Sequence, residues 1–191
     1  MALDMVFPNN NEEEFIDTAS KLGFSQLFFI YEPATIDKLK SKIANLQRNT
    51  KIKLMVGAIS DPSTIGKAKK MAEIVLVASS EKDRDVLEKS RGIILFGLEK
   101  DYGKDYIHNR SSGLNHILCG LANKNKITVG FSFSSILSSA DMPKLLGRIA
   151  QNIRLCRKYK VETIFASFAK HPYGMRAERE LAALFELIEK H

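Results

Sequence analysis

The sequence predicts an α/β protein built on about seven parallel strands. Three observations predict it. Short, nearly continuous apolar runs recur along the chain, longer segments of helical period separate them, and no linker or low-complexity tract interrupts the 191 residues. Continuous apolar character, as opposed to strict alternation, marks strands covered on both faces, which is the habit of parallel sheets. The expected strands are Leu3–Val6, Gln26–Ile30, Ile52–Ile59, Ile74–Ala78, Gly92–Phe96, Thr128–Phe133 and Thr163–Ser167. Such a set either curls into a barrel or stays open. A full eight-fold barrel usually takes about 250 residues, so a barrel here is compact, with about seven strands. A single domain over 1–191 is the expectation, and its functional edge is where strand C-termini meet the following loops.

The helices follow from one-sided apolar stripes. Phe15, Ile16, Ala19 and Leu22 repeat at helical spacing in the first, which Asn11 is placed to cap ahead of Glu12, Glu13 and Glu14. Asp61-Pro62-Ser63 reads as a helix entry. Ser111 or Ser112 is placed to cap a helix starting near Gly113, with Leu114, Ile117, Leu118, Leu121 and Ala122 as its core face. His116 then points away from the core, with Asn115 and Cys119 on the flanks. Phe131 and Phe133 read as core rings. Over Pro143–Lys160, Leu146, Ile149, Ala150, Ile153 and Cys156 make a core stripe, and Lys144, Arg148, Gln151, Arg154 and Lys158 gather opposite it. Arg157 falls on the apolar side, where its stem snorkels or faces a partner. Leu181, Leu184, Phe185 and Ile188 line the last helix. Leu98–Ser112 has little apolar content, and a loop of that length after a strand tends to be functional or mobile.

Composition narrows the function classes. With 45% hydrophobic and 27% charged residues the chain is neither collagenous, disordered nor a disulfide miniprotein. No apolar run approaches the roughly 20 residues of a membrane span, and the first residues lack the basic flank and apolar length of a signal peptide. The two cysteines, Cys119 and Cys156, are too few for a disulfide framework or a four-cysteine zinc site, and they suit a reducing, cytoplasmic interior. The net charge of +7 is uneven: residues 1–100 carry 15 basic and 14 acidic side chains, residues 101–191 carry 14 and 8. From Met142 to Arg176, Glu162 is the single acid among eight basic residues. Such a field attracts polyanions, nucleic acid above all; the bland alternative is a solvated surface.

Most enzyme signatures are missing. There is no Gly-x-Gly-x-x-Gly after a strand, no Walker loop and no Gly-x-Ser-x-Gly elbow. The four histidines, His108, His116, His171 and His191, form no His-x-His or His-Glu-x-x-His. A metal site assembled from His108, His116, His171 and Asp4 across strand ends stays geometrically possible, but nothing in their spacing supplies the three or four ligands zinc needs. The densest polar cluster is His108-Asn109-Arg110-Ser111-Ser112-Gly113-Leu114-Asn115-His116, where His108, Arg110, Asn115 and His116 surround one expected helix start, a setting that favours phosphate. The basic helix face of Lys144, Arg148, Arg154 and Lys158 could follow a phosphate backbone. After the last strand, Lys170, His171, Tyr173 and Arg176 sit in a Pro- and Gly-containing loop able to hold a phosphate and stack a base, or simply to connect.

Three stretches carry a family resemblance: His108–His116, Lys124–Phe133 and Leu146–Val161. Together they resemble archaeal ribonuclease P protein component 3, the counterpart of the eukaryotic thirty-kilodalton ribonuclease P subunit. The match is good over residues 108–161 and holds only in pattern over the first hundred. The resemblance implies a compact TIM-barrel-like (β/α) barrel related to the polymerase and histidinol phosphatase superfamily. It implies a protein that binds the catalytic RNA and a partner, component 2, beside other ribonuclease P proteins, and supports 5′ leader removal from precursor tRNA. Chemistry would lie with the RNA and its magnesium, and the isolated chain would be inactive, with no cofactor or metal of its own. Arg110, Asn115, His116, Arg148, Arg154, Arg157 and Lys158 sit in matching positions. With His108, Lys144, Lys170 and Arg176 they are the expected RNA or partner contacts. The superfamily's metal-binding His-x-His is absent, which disfavours the alternative of a free-standing metal phosphoesterase. The first strand keeps only Asp4 of the expected opening.

Overall fold

The protein is described here by a computed structural model covering residues 2–100, 103–106 and 110–190. Seven strands follow one another in sequential order in one sheet. They are β1 (Leu3–Val6), β2 (Gln26–Tyr31), β3 (Lys53–Ile59), β4 (Ile74–Ala78), β5 (Ile94–Phe96), β6 (Thr128–Ser132) and β7 (Thr163–Ala166). The β1–β2, β2–β3, β3–β4 and β5–β6 pairs are parallel. Helices α1 (Glu12–Lys21), α2 (Pro33–Gln47), α3 (Ile65–Met71), α4 (Asp83–Lys89), α5 (His116–Lys124), α6 (Phe133–Leu137), α7 (Met142–Lys158) and α8 (Glu178–Lys190) lie between and after them. The chain forms two compact units, Met1–Leu76 with Ala166–Ala182, and Val77–Phe165 with Ala183–His191.

In the first unit, β1 and β2 are buried almost along their length, with Met5, Val6, Leu27, Phe29 and Ile30 at 2% exposure or less. Burying such side chains supplies roughly 1.5–3 kcal/mol each. Phe15 and Ala19 of α1 and Ile36 of α2 are buried with them. The N–H of Phe7 donates to the carbonyl of Ala169 at 2.8 Å, tying the end of β1 to the chain just after β7. Asp4 fastens the same place from inside: its Oδ1 accepts from the N–H groups of Met5 (2.8 Å) and Ser167 (2.7 Å). Glu12, expected as a simple helix-dipole charge, is buried instead. It accepts from the Tyr31 hydroxyl at 2.9 Å and the Lys42 ammonium at 2.7 Å.

The second unit departs from the expected pattern at its helix starts. β6 stops at Ser132 because the Ser132 hydroxyl accepts from the Ser135 N–H at 3.1 Å and caps α6. Phe133 therefore begins a helix, half-buried, whereas Phe131 is fully buried with its ring 6.3 Å from that of Phe185. Neither Ser111 nor Ser112 caps α5. Asn115 does, accepting from the Leu118 N–H at 3.0 Å. Leu114 thus precedes the helix and does not follow its period, and the face turned inward is Cys119 and Ala122, with Ile117 exposed. In the first unit, Asp61-Pro62-Ser63 forms a turn, Asp61 accepting at its carbonyl from the Thr64 N–H, and α3 begins only at Ile65 without a side-chain cap.

Burial raises the Asp4 carboxyl to about 6, against which its hydrogen bonds to Ser167 and Met5 work only in part. A carboxyl raised on folding contributes stability that is full below its ordinary value and fades as pH rises through about 6. We predict that Asp4→Asn removes this dependence. In urea melts, the variant should gain on the unaltered protein by on the order of 2–3 kcal/mol between pH 4 and pH 8. A difference that stays flat across that range would contradict the assignment.

Candidate nucleic-acid interface

Helix α7 carries the expected basic face, and the structure divides it. Arg148, Gln151 and Asn152, spaced i, i+3, i+4, share one side of the helix. All three grip the segment from Glu99 to Ser112. Arg148 is 2% exposed. Its Nε and Nη2 donate to Asp105 Oδ1 at 2.9 and 2.7 Å, Nη2 donates to the Gly103 carbonyl at 2.8 Å, and Nη1 reaches the carbonyls of Lys100 and Glu99 at 3.4 and 3.5 Å. Gln151 Nε2 donates to the Arg110 carbonyl and the Ser112 hydroxyl, while its Oε1 accepts from the Arg110 N–H. Asn152 Nδ2 donates to the Ser112 carbonyl at 2.6 Å. The Arg148 guanidinium, hydrogen-bonded to Asp105, holds that carboxyl below its usual range.

The neck of this segment is fixed by Gly113. Its φ of +85° belongs to the left-handed region, and a Cβ there would run into the Leu98 carbonyl. Arg110, at the far side, lays its guanidinium against Gly147 of α7 and stands 3.8 Å from Asp105 Oδ2.

The expected contact residues therefore separate into groups. Arg148, expected on the solvent face, is instead enclosed, because Asp105 and the loop carbonyls satisfy it. Asn115 is occupied as the α5 cap. His116, the first residue of α5, is exposed, as is Arg110. Lys144 is half-buried near the start of α7. Arg154 is exposed, with Nε donating to the Ala150 carbonyl at 3.3 Å. Arg157, expected on the apolar side, extends into solvent and pairs with Glu189 at 3.2 Å. Lys158 is exposed, with its ammonium 5.7 Å from the Tyr159 ring centre. In the first unit, Lys170 and His171 are exposed and Tyr173 is 91% exposed on a short 3₁₀ turn, Pro172–Gly174. Arg176 donates there to the carbonyls of Tyr173 and Met175, so it staples the turn. His108 lies outside the described residues.

Glu99, which no sequence signal singles out, is 1% exposed, and neither carboxylate oxygen has a hydrogen-bond partner among the described residues. Burial pushes it up to about 7. Among the described residues, no three His, Cys, Asp or Glu side chains are grouped to hold a metal ion. Nor is any helix among them long and apolar enough to cross a membrane.

Comparison with known proteins places this geometry in a lineage. Ribonuclease P protein component 3 of Methanococcus maripaludis is 27% identical over 94% of this chain and 70% of its own. That of Methanococcoides burtonii is 27% identical over 94% and 73%. The chain is a relative of ribonuclease P protein component 3. No family model matches it. Among solved structures, a chain of an archaeal ribonuclease P determined by cryo-electron microscopy with mature tRNA superposes with a TM-score of 0.82 at 18% identity, covering 98% of this chain and 82% of that one. Histidinol phosphate phosphatase from Lactococcus lactis, complexed with zinc, L-histidinol and phosphate, gives 0.67 at 12% identity, covering 99% and 93%. The two likenesses show a (β/α) fold that this component 3 relative shares with both.

Two substitutions test the clamp on the loop. Arg148→Ala leaves the half-buried Asp105 carboxylate and several carbonyls without their donor and should cost about 2–3 kcal/mol, with Arg148→Lys recovering only part because an ammonium cannot reproduce the fork. Urea unfolding reads the loss; a cost within about 0.5 kcal/mol, typical of an exposed position, would refute the clamp. Gly113→Ala should destabilise by about 1–3 kcal/mol through backbone strain and the clash with Leu98, seen as a lowered Tm.

Proposed function

We propose that this chain is a protein subunit of ribonuclease P that binds the catalytic RNA and a partner protein and supports removal of the 5′ leader from precursor tRNA. The observation that carries the reading is kinship with ribonuclease P protein component 3 across 94% of the chain. In this reading the RNA performs the cleavage with its own magnesium, the isolated chain is inactive, and the site of action is the cytoplasm. Component 2 and the other ribonuclease P proteins are its protein neighbours. The exposed side chains Arg110, His116, Arg154, Lys158 and Lys170 are the candidate contacts to phosphate or a partner. Each ammonium or guanidinium seated on a phosphate releases condensed counterions, so binding weakens as salt rises. Their mechanical contribution is to offset the repulsion between RNA segments that must pack together.

Two measurements test this. In a reconstituted reaction, omission of the chain should lower precursor-tRNA cleavage at modest magnesium; an unchanged rate would overturn the reading. For direct contact, Arg154→Ala with Lys158→Ala should weaken RNA binding and reduce the slope of log K against log salt by roughly 1–2. An unchanged slope would remove these two side chains from the RNA surface. The likeness to histidinol phosphate phosphatase supplies the competing reading of a metal phosphoesterase. Phosphoester hydrolysis by the nuclease-treated chain that is lost with chelator would favour it.

A further inference from the structure

In the first unit, the backbone leaving β7 is fixed residue by residue beneath one open side chain. Phe168 is buried in the left-handed region at a φ of +48°, which a non-glycine residue keeps only where its surroundings over-determine it. The Ala169 N–H donates to the Ser167 hydroxyl at 3.2 Å, and the Ala169 carbonyl accepts from Phe7. Pro172 and Met175 are buried. Gly174 and Met175 donate their N–H groups to the carbonyls of His171 and Pro172 at 2.9 and 3.0 Å. Arg176 closes the turn on the carbonyls of Tyr173 and Met175 at 2.9 and 2.7 Å. On this base the Tyr173 ring stands 91% exposed. An open aromatic face over a fixed backbone is a preorganised contact, since little freedom remains to be lost when a partner covers it. The turn also follows the C-terminal end of β7, the edge at which (β/α) folds build their sites.

The neighbouring chemistry points to what covers the ring. Lys170 and His171 are exposed and enter no ion pair among the described residues. From Ser167 to Ala177 there is no acid, and Glu180 beyond it accepts from the Ala177 N–H at 3.2 Å. An apolar pocket on a protein would match apolar neighbours, not an ammonium and an imidazole. Helix α1 packs against the turn and exposes Glu13 and Glu14, which repel the two phosphate rows of a duplex. A single strand meets both conditions. Its phosphates keep to Lys170 and His171, and an unpaired base, which has a π-face whatever its identity, covers the ring.

We infer that Tyr173 is a stacking platform for an unpaired base of the catalytic RNA, with Lys170 and His171 holding the flanking phosphates. The inference rests on the RNA-binding reading above and adds to it a contact that releases no counterion, so its worth does not fade with salt.

The chain contains no tryptophan, so Tyr173→Trp sets a single indole on the turn. Its emission should be quenched by the catalytic RNA, and oligouridylate should reproduce the quenching where an RNA duplex of equal length does not. In binding titrations of the full chain, Tyr173→Ala should weaken the catalytic RNA roughly tenfold with the slope of log K against log salt unchanged. Lys170→Ala should lower that slope by about 1. Tyr173→Phe should restore binding, because stacking uses the ring and not the hydroxyl, and the Tm of each variant should match that of the unaltered chain. Tyr173→Ala binding within about twofold of the unaltered chain, a slope or a Tm that falls with it, or an indole that RNA leaves bright each overturns the platform. An indole quenched by a ribonuclease P protein with no RNA present gives the ring to a protein. A raised KM for precursor tRNA with catalytic-RNA binding intact gives it to the substrate. Either result overturns the assignment. Any such failure with precursor-tRNA cleavage still dependent on the chain removes the platform alone; loss of that dependence removes the reading beneath it.

Discussion

The enclosure of the Arg148 guanidinium against Asp105 is the constraint around which the second unit is arranged. Removing the Arg148 charge from water carries a penalty of several kcal/mol, offset only when geometry is good and its donors find acceptors. Here the loop supplies them: Asp105 Oδ1 takes two donors, and the carbonyls of Gly103, Lys100 and Glu99 take the others. The arrangement works in both directions. Glu99, Lys100, Gly103, Asp105, Arg110 and Ser112 are held to α7 by hydrogen bonds, and α7 in turn buries a charged residue in the middle of its length.

This changes what the positive charge of the chain means. The surplus of basic residues is real, but the surface does not receive all of it. Arg148 is spent internally, Arg157 faces Glu189, and Arg176 binds backbone carbonyls of its own turn. Exposed ion pairs such as Arg157–Glu189 contribute little to stability and are easily exchanged for a phosphate. Arg154, Lys158 and Lys170 keep their exposed positions. The proposed role in ribonuclease P accordingly draws on kinship first and on charge second.

Much of the fold was legible because buried parallel strands announce themselves as continuous apolar runs: β1 and β4 have the expected bounds, and the other five differ by only a residue or two at either end. Helix starts were not, since Ser132, Asn115 and the Asp61 turn compete locally for the same backbone N–H groups and sequence does not reveal which hydroxyl or amide wins. Arg148 was misplaced for a related reason. An arginine off the apolar stripe reads as solvent-facing, and only its Asp105 partner, 43 residues away, makes burial affordable. The i, i+3, i+4 set of Arg148, Gln151 and Asn152 was a signal that such a polar face has a polar target. Glu99 gave none, because a single acid after a strand looks like any loop carboxylate. The separation of the candidate cations into enclosed, stapled and exposed groups belongs to tertiary structure.

The central claim is that Arg148 acts through Asp105 to hold the loop, and a double-mutant cycle between Arg148→Met and Asp105→Asn tests it most directly. The account predicts non-additive stabilities, with a coupling energy of roughly 2 kcal/mol or more. Additivity within about 0.5 kcal/mol would contradict it and return Arg148 to the surface.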